Sequence, residues 1–366
     1  MIKRRTFISS LAAAGLVATL TRDAGAGQNK DIGESGKNIG ITVDALCYEP
    51  NLTPEMIVHA IQANLNAVVF DIAGWPREYN NAVRELSRWA ARFGEPDTRV
   101  FAVRRVCDFE RAKKERKLGI VLACQDATIL GSSLAAFDES LRLFHTLGLR
   151  VLQLTHNSRT HWADSFMEKR DGGLSLAGER LVVEMNQLGV IIDLSHCSRQ
   201  SLLDTVKAST KPCAVTHAGS RALAPTARNK SDEEIKALGQ AGGFFGVYNM
   251  TTWLTSGPTA SLDTVLDHID HVVQLIGPLH VGFGSDGALD RLDAQAEVDR
   301  MGNVQKNNSG GPSAEWAVRH VRVPELNAPG RLKALADGLA RRGYSDAHID
   351  GIQGGNFVRL FERVCG

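Results

Sequence analysis

Leu188-Gly189-Val190-Ile191-Ile192-Asp193-Leu194-Ser195-His196 is the stretch that decides how this chain folds. Its glycine closes one pattern and opens another. Before it, residues 176–188 repeat apolar side chains at helical spacing; after it, residues 190–196 form a short, mainly apolar run rich in β-branched residues. A strand that is apolar on both faces belongs in a parallel sheet covered by helices, and parallel neighbours need a crossover helix between them. The next segment supplies one. Residues 198–208 have helical periodicity and lead into a second apolar run at 212–217.

Outward from there the same alternation covers most of the chain. Apolar runs at 39–47, 67–73, 118–125, 150–156, 190–196, 212–217, 243–249 and 279–286 give eight expected strands. Amphipathic segments at 53–65, 134–147, 176–188, 198–208, 232–241 and 262–276 are the expected helices. Leu147-Gly148 and Ile276-Gly277 repeat the handover at Leu188-Gly189, and Thr53-Pro54-Glu55 has a cap residue followed by proline at the first helical position. The connection 75–117 is longer and carries two helical stretches. Eight βα units imply a closed (β/α)8 TIM barrel, one domain over 27–366, with a doubly wound open sheet as the competing arrangement. A polar stretch at 291–330, containing Asn307-Asn308-Ser309-Gly310-Gly311-Pro312, suits either a lid over the barrel mouth or an ordinary excursion.

Composition excludes several classes. The 42 basic and 41 acidic side chains leave a net charge of +1, so no global field draws nucleic acid or an anionic membrane. The six cysteines form no CxxC pair, which argues against a disulfide framework or a zinc finger and makes most of them core residues. At the N-terminus, Lys3-Arg4-Arg5-Thr6-Phe7 precedes an uncharged run at 9–20 and the small residues Ala24-Gly25-Ala26. That pattern predicts a twin-arginine signal peptide over 1–26 and export in folded form to the periplasm. The uncharged run is shorter than the roughly 20 residues that span a bilayer, so no transmembrane span is expected.

In a barrel of this kind the chemistry sits at the C-terminal ends of the strands. Here the expected strands end on Gln125, His156, His196, His217 and Asp286. One buried histidine is usually a core residue, whereas three ending adjacent strands converge on one mouth as ligands for zinc or a similar ion. A carboxylate at the last strand, Asp286, can move a proton during hydrolysis assisted by a metal. Arg228, in the loop after His217, would clamp a carboxylate in bidentate fashion if it faces the same mouth.

These residues occur within blocks that resemble the membrane dipeptidase family, the renal-dipeptidase-like metallopeptidases (peptidase family M19) of the amidohydrolase superfamily. Gly173-Leu174-Ser175, Met185-Asn186, Leu188-Gly189 and Asp193-Leu194-Ser195-His196 make the most specific block. Val215-Thr216-His217 with Arg221-Ala222-Leu223 and Arg228-Asn229 makes the next, and Leu154-Thr155-His156-Asn157 an earlier one. His280-Val281-Gly282-Phe283-Gly284-Ser285-Asp286 and Gly354-Gly355-Asn356-Phe357-Val358-Arg359 complete the order. The resemblance implies that His196 and His217 bind the second metal of a two-zinc site and that His156 contacts the scissile carbonyl oxygen. It further implies that Arg228 holds the substrate's terminal carboxylate, that Asp286 shuttles the proton, and that the substrates are dipeptides.

The first metal's ligands depart from that pattern. The family's Asp-Gly-His-x-Asp run is Asp44-Ala45-Leu46-Cys47-Tyr48 here, and its bridging glutamate corresponds to Gln125. An amide offers one weak oxygen and no charge. Asp44 and Asp126 lie beside the lost ligands but could replace them only with a shifted strand. Two readings follow. One is a hydrolase of dipeptide-like amides with a single zinc ion on His196 and His217, with Gln125 as a weak third ligand. The other is a periplasmic binding protein or tailoring enzyme, without hydrolysis, for a peptidic ligand bearing a carboxylate. The sequence leaves open whether the chain pairs as a homodimer.

Overall fold

A computed structural model describes residues 40–366 apart from 50–51, 73–76, 97, 132, 134, 258 and 292–321. The expected signal peptide at 1–26 and most of the polar stretch at 291–330, expected as a lid or an ordinary excursion, lie outside the described residues. Strands β1 (Val43–Cys47), β2 (Ala67–Asp71), β4 (Leu118–Cys124), β5 (Leu149–Gln153), β6 (Ile191–Asp193), β7 (Ala214–Ala218), β8 (Phe244–Val247) and β9 (Val281–Phe283) stand side by side in that order, all parallel. Helices alternate with them, so the fold is the (β/α)8 barrel expected. The sequence reading missed β3 (Val100–Ala102), which pairs with the first half of β4 inside the long second connection.

Short strands close into a ring only if the last meets the first. Here the chain just beyond β9 does so. Asp286 N–H donates to the Leu46 carbonyl and Tyr48 N–H to the Gly287 carbonyl, each at 2.9 Å. A buried latch lies under this seam. Asp44 accepts from the Ser285 backbone N–H at 2.7 Å and from Arg331 Nη1 at 3.1 Å, while Arg331 Nη2 donates to the carbonyls of Ala288 and Leu289. Arg331 is 2% exposed and Asp44 not at all, so each charge depends on the other for compensation. Asp44 is thereby committed to the seam. Asp126 has a local duty too, its side chain capping the turn Ala127–Leu130 by accepting from Thr128 N–H.

The connecting helices begin and end as their sequences dictate. Thr53 Oγ1 accepts from Met56 N–H ahead of Pro54–Gln62, and Ser231 and Glu234 form a reciprocal capping box at Asp232–Gln240. Gly148 and Gly189 take φ of 118° and 75° at the ends of Phe137–Leu147 and Leu176–Leu188, a left-handed turn that glycine reaches without a Cβ penalty. Two apolar layers result. Val69, Val121, Val151, Ile191, Ala214 and Phe244 fill the barrel interior, and Phe357 and Phe361 of the last helix, Asn356–Cys365, extend that core. A second layer lies between strands and helices. Four of the six cysteines are buried, and no described helix is long and apolar enough to cross a membrane.

Two interior glycines set the barrel's width. A Cβ on Gly246 would stand 2.0 Å from the Thr216 carbonyl oxygen, and one on Gly284 would stand 2.2 Å from the same oxygen. Backbone cannot yield as a side-chain tip does. Gly246→Ala is therefore expected to cost about 3 kcal/mol or more, the upper end of overpacking, read from the midpoint of a denaturant titration. An unshifted midpoint would mean that β7 and β8 move apart freely.

Candidate active site

The polar residues gather at the C-terminal mouth of the barrel, mostly a turn later than expected. Strands β5, β6 and β9 end at Gln153, Asp193 and Phe283, so His156, His196 and Asp286 sit in the loops just beyond them. Only His217 lies within its strand, β7. His156 and His196 stack with ring centroids 4.2 Å apart, and His196 faces His217 with Nε2 to Nε2 at 3.1 Å.

The partners of the other ring nitrogens fix what that short approach means. Asp193, buried at the end of β6, accepts the hydroxyl protons of both Ser195 and Thr216. With its proton spent there, Thr216 Oγ1 must accept from His217 Nδ1–H, 2.8 Å away. His196 Nδ1 lies 3.0 Å from the side-chain oxygen of Asn157, an acceptor, and so donates as well. Both neutral rings then turn an unprotonated Nε2 toward the same point. Burial, with the nearby charge of Arg228, holds both histidines well below the ordinary imidazole pKa, so a proton is a poor filler of the gap. Two ligands of a tetrahedral zinc stand about 3.3 Å apart, so the pair fits one divalent cation.

Arg228 sits directly behind the pair. Its two Nη groups donate to the backbone carbonyls of Ser195 and His217, and its guanidinium lies 5.7 Å from the ring of Phe166 and 5.5 Å from that of Tyr248. Phe166 also meets His196 and Trp253, forming an aromatic wall that sequence reasoning did not anticipate. Asp286 is half-buried and near enough for its charge to act on both Arg228 and Tyr248. Its φ of 49° lies in the left-handed region, unusual for a residue with a side chain and met mostly where a site requires it. Donors, an acceptor and a place for a cation thus surround one mouth.

Comparison with known proteins gives the family. The model of the membrane dipeptidase family (peptidase family M19) matches residues 80–298. The chain belongs to that family. Dipeptidase aclJ of Aspergillus oryzae is 41% identical over 228 residues, covering 61% of this chain and 47% of the relative. Dipeptidase 3 of Rattus norvegicus is 30% identical over 256 residues, covering 68% of this chain and 46% of the relative. The chain thus spans about half the length of the curated relatives it matches. Among solved structures, an amidohydrolase from Pseudomonas aeruginosa superposes with a TM-score of 0.78 at 25% identity, covering 89% of this chain and 98% of that one.

The other half of the mouth does not suit a membrane dipeptidase with two metals. Leu46 is buried and apolar, and Gln125 has partners unlike those of a ligand. Gln125 Nε2 donates to Asp71 Oδ2 at 2.9 Å, and its carbonyl oxygen faces Gln153 Nε2 at 3.4 Å. The same Asp71 oxygen accepts from Arg77 at 2.8 Å, in an ion pair whose side chains are 0% and 5% exposed. Among the described residues, no group of three or more His, Cys, Asp or Glu could hold a metal ion. The expectation of Gln125 as a third ligand therefore meets an amide engaged elsewhere. Asp71 and Arg77 were not anticipated.

Proposed function

We propose that the chain is a metal-dependent hydrolase of dipeptides or dipeptide-like amides, working with one zinc ion held by His196 and His217. The observation that carries this reading is the pair of imidazoles facing each other at 3.1 Å with both Nδ1 positions donating elsewhere. When bound, zinc supplies a Lewis acid and makes a water acidic enough to act near neutral pH.

The chain's own residues supply the rest. His156 is held neutral by burial and by the charges of Arg77 and Arg228, so it has an N–H to offer an oxyanion. Arg228 uses two of its five N–H groups on backbone carbonyls, which leaves others to hold a substrate carboxylate. Asp286 takes a proton from the attacking water and returns it to the leaving amine.

The test joins zinc content to dipeptide turnover. Asp286→Asn keeps a residue that accepts the left-handed backbone while removing the carboxylate. It is expected to lower kcat by about 10²–10⁴-fold with zinc content unchanged. Wild-type protein that binds dipeptides but never turns them over would favour a binding or tailoring role instead.

Location belongs to the same proposal. Arg4-Arg5 and Phe7 before a mild apolar run support twin-arginine export to the periplasm. Arg4→Lys with Arg5→Lys should trap the precursor in the cytoplasm, seen by fractionation. Unchanged delivery of the double variant would discard the route.

A further inference from the structure

We infer that the guanidinium of Arg77, anchored on Asp71, takes the first metal's place as a cation built into the chain, and that this limits the site to one divalent ion. The inference rests on the single-ion reading above, and it explains why that half of the mouth holds no ligand set among the described residues.

Three observations carry it. Asp71 ends β2 inside the barrel, and one of its oxygens receives both Arg77 Nη2 and Gln125 Nε2, at 2.8 and 2.9 Å. The guanidinium is thus brought against the residue aligned with the family's bridging glutamate. Arg77 also lies close enough to Tyr48, aligned with another first-metal ligand, for the two to interact electrostatically. Finally, Arg77 is held at its backbone as well: Thr128 Oγ1 donates to the Arg77 carbonyl at 2.8 Å, and the side chain is 5% exposed. A buried guanidinium remains charged at every accessible pH. Its charge reaches His156 and His196, so positive potential at the mouth is supplied by protein where the family uses an ion.

The neutral residues follow from this. A histidine at position 46 and carboxylates at 48 and 125 would present a cation's ligands to a cation already covalently attached. Leucine, tyrosine and an amide that donates to Asp71 suit a guanidinium neighbour. Restoring the family's ligands by Leu46→His, Tyr48→Asp and Gln125→Glu together is accordingly expected not to add an ion, because Arg77 stays.

Zinc titration by calorimetry tests this on wild type, Gln125→Glu and Arg77→Met/Gln125→Glu, each checked for native circular dichroism. The expected saturation is one equivalent for wild type, one for Gln125→Glu and two for the double variant, in which Asp71 and the introduced carboxylate are released from the guanidinium. A folded double variant that gains no ion over Gln125→Glu overturns the inference. So does a wild type, or Gln125→Glu alone, that takes two; these single-site proteins decide the matter if the double variant does not fold. A wild type that takes none, with a double variant that gains one, would keep Arg77 as the built-in cation while removing the zinc reading of His196 and His217.

Discussion

His217→Ala is expected to leave the purified protein without a tightly held divalent ion. The side chain is wholly buried, and its Nε2 is, with that of His196, one of the two imidazole nitrogens among the described residues aimed at the proposed ion. Loss of a partner that merely orients a ligand typically weakens metal binding about 10–100-fold, and loss of the ligand should exceed that. Dipeptide turnover should fall by roughly 10³-fold or more, since a bound metal contributes several kcal/mol to the transition state. Thr216→Val gives the graded comparison. It keeps the shape but removes the oxygen that receives His217 Nδ1–H, so metal affinity should fall by about 10–100-fold. Metal analysis after dialysis reads both variants. Equal zinc in wild type and His217→Ala would remove the pair from the proposal.

Arg228→Ala should separate ligands by charge. Truncating one side of a buried, charged, hydrogen-bonded pair costs about 2–5 kcal/mol. A dipeptide with a free carboxylate should therefore bind roughly 30- to 5000-fold more weakly, and its C-terminal amide far less so. The comparison matters because Arg228 also holds the carbonyls of Ser195 and His217, so its removal will disturb both loops. Such a disturbance weakens acid and amide alike. Only loss of the carboxylate clamp discriminates between them, and equal losses would sink the clamp.

Much of this was legible in the sequence because it depended on local chemistry. Apolar runs alternating with helical periods gave eight of the nine strands among the described residues, and polar residues ending those runs located His156, His196, His217 and Asp286. What escaped depended on contacts between distant segments. Val100–Ala102 is too short to show a period, and it is a strand because β5 joins β4 only from Leu122 onward, leaving Leu118–Ile120 open on that side. Asp71 sat inside a run that was extended to residue 73, where a carboxylate looks like a flaw rather than a member of the site. Arg77 resembled any exposed loop arginine until the contacts that bury it were known, Asp71 at its side chain and Thr128, 51 residues on, at its carbonyl. Gly246 gave no signal at all, because its necessity lies in the neighbouring strand's carbonyl.

The buried latch bears on the order in which the chain can be built. Asp44 lies in β1, yet the guanidinium that neutralises it sits at residue 331, made 287 residues later. Until Arg331 arrives, an ionised Asp44 inside the barrel would cost several kcal/mol. The nascent chain does better to leave the seam open, with the edges of β1 and β9 exposed and prone to wrong pairing. Ring closure thus comes late and joins segments 241 residues apart, the slowest kind of contact to form. The ring can therefore close only after the segment carrying Arg331 has been made and has folded back onto β1.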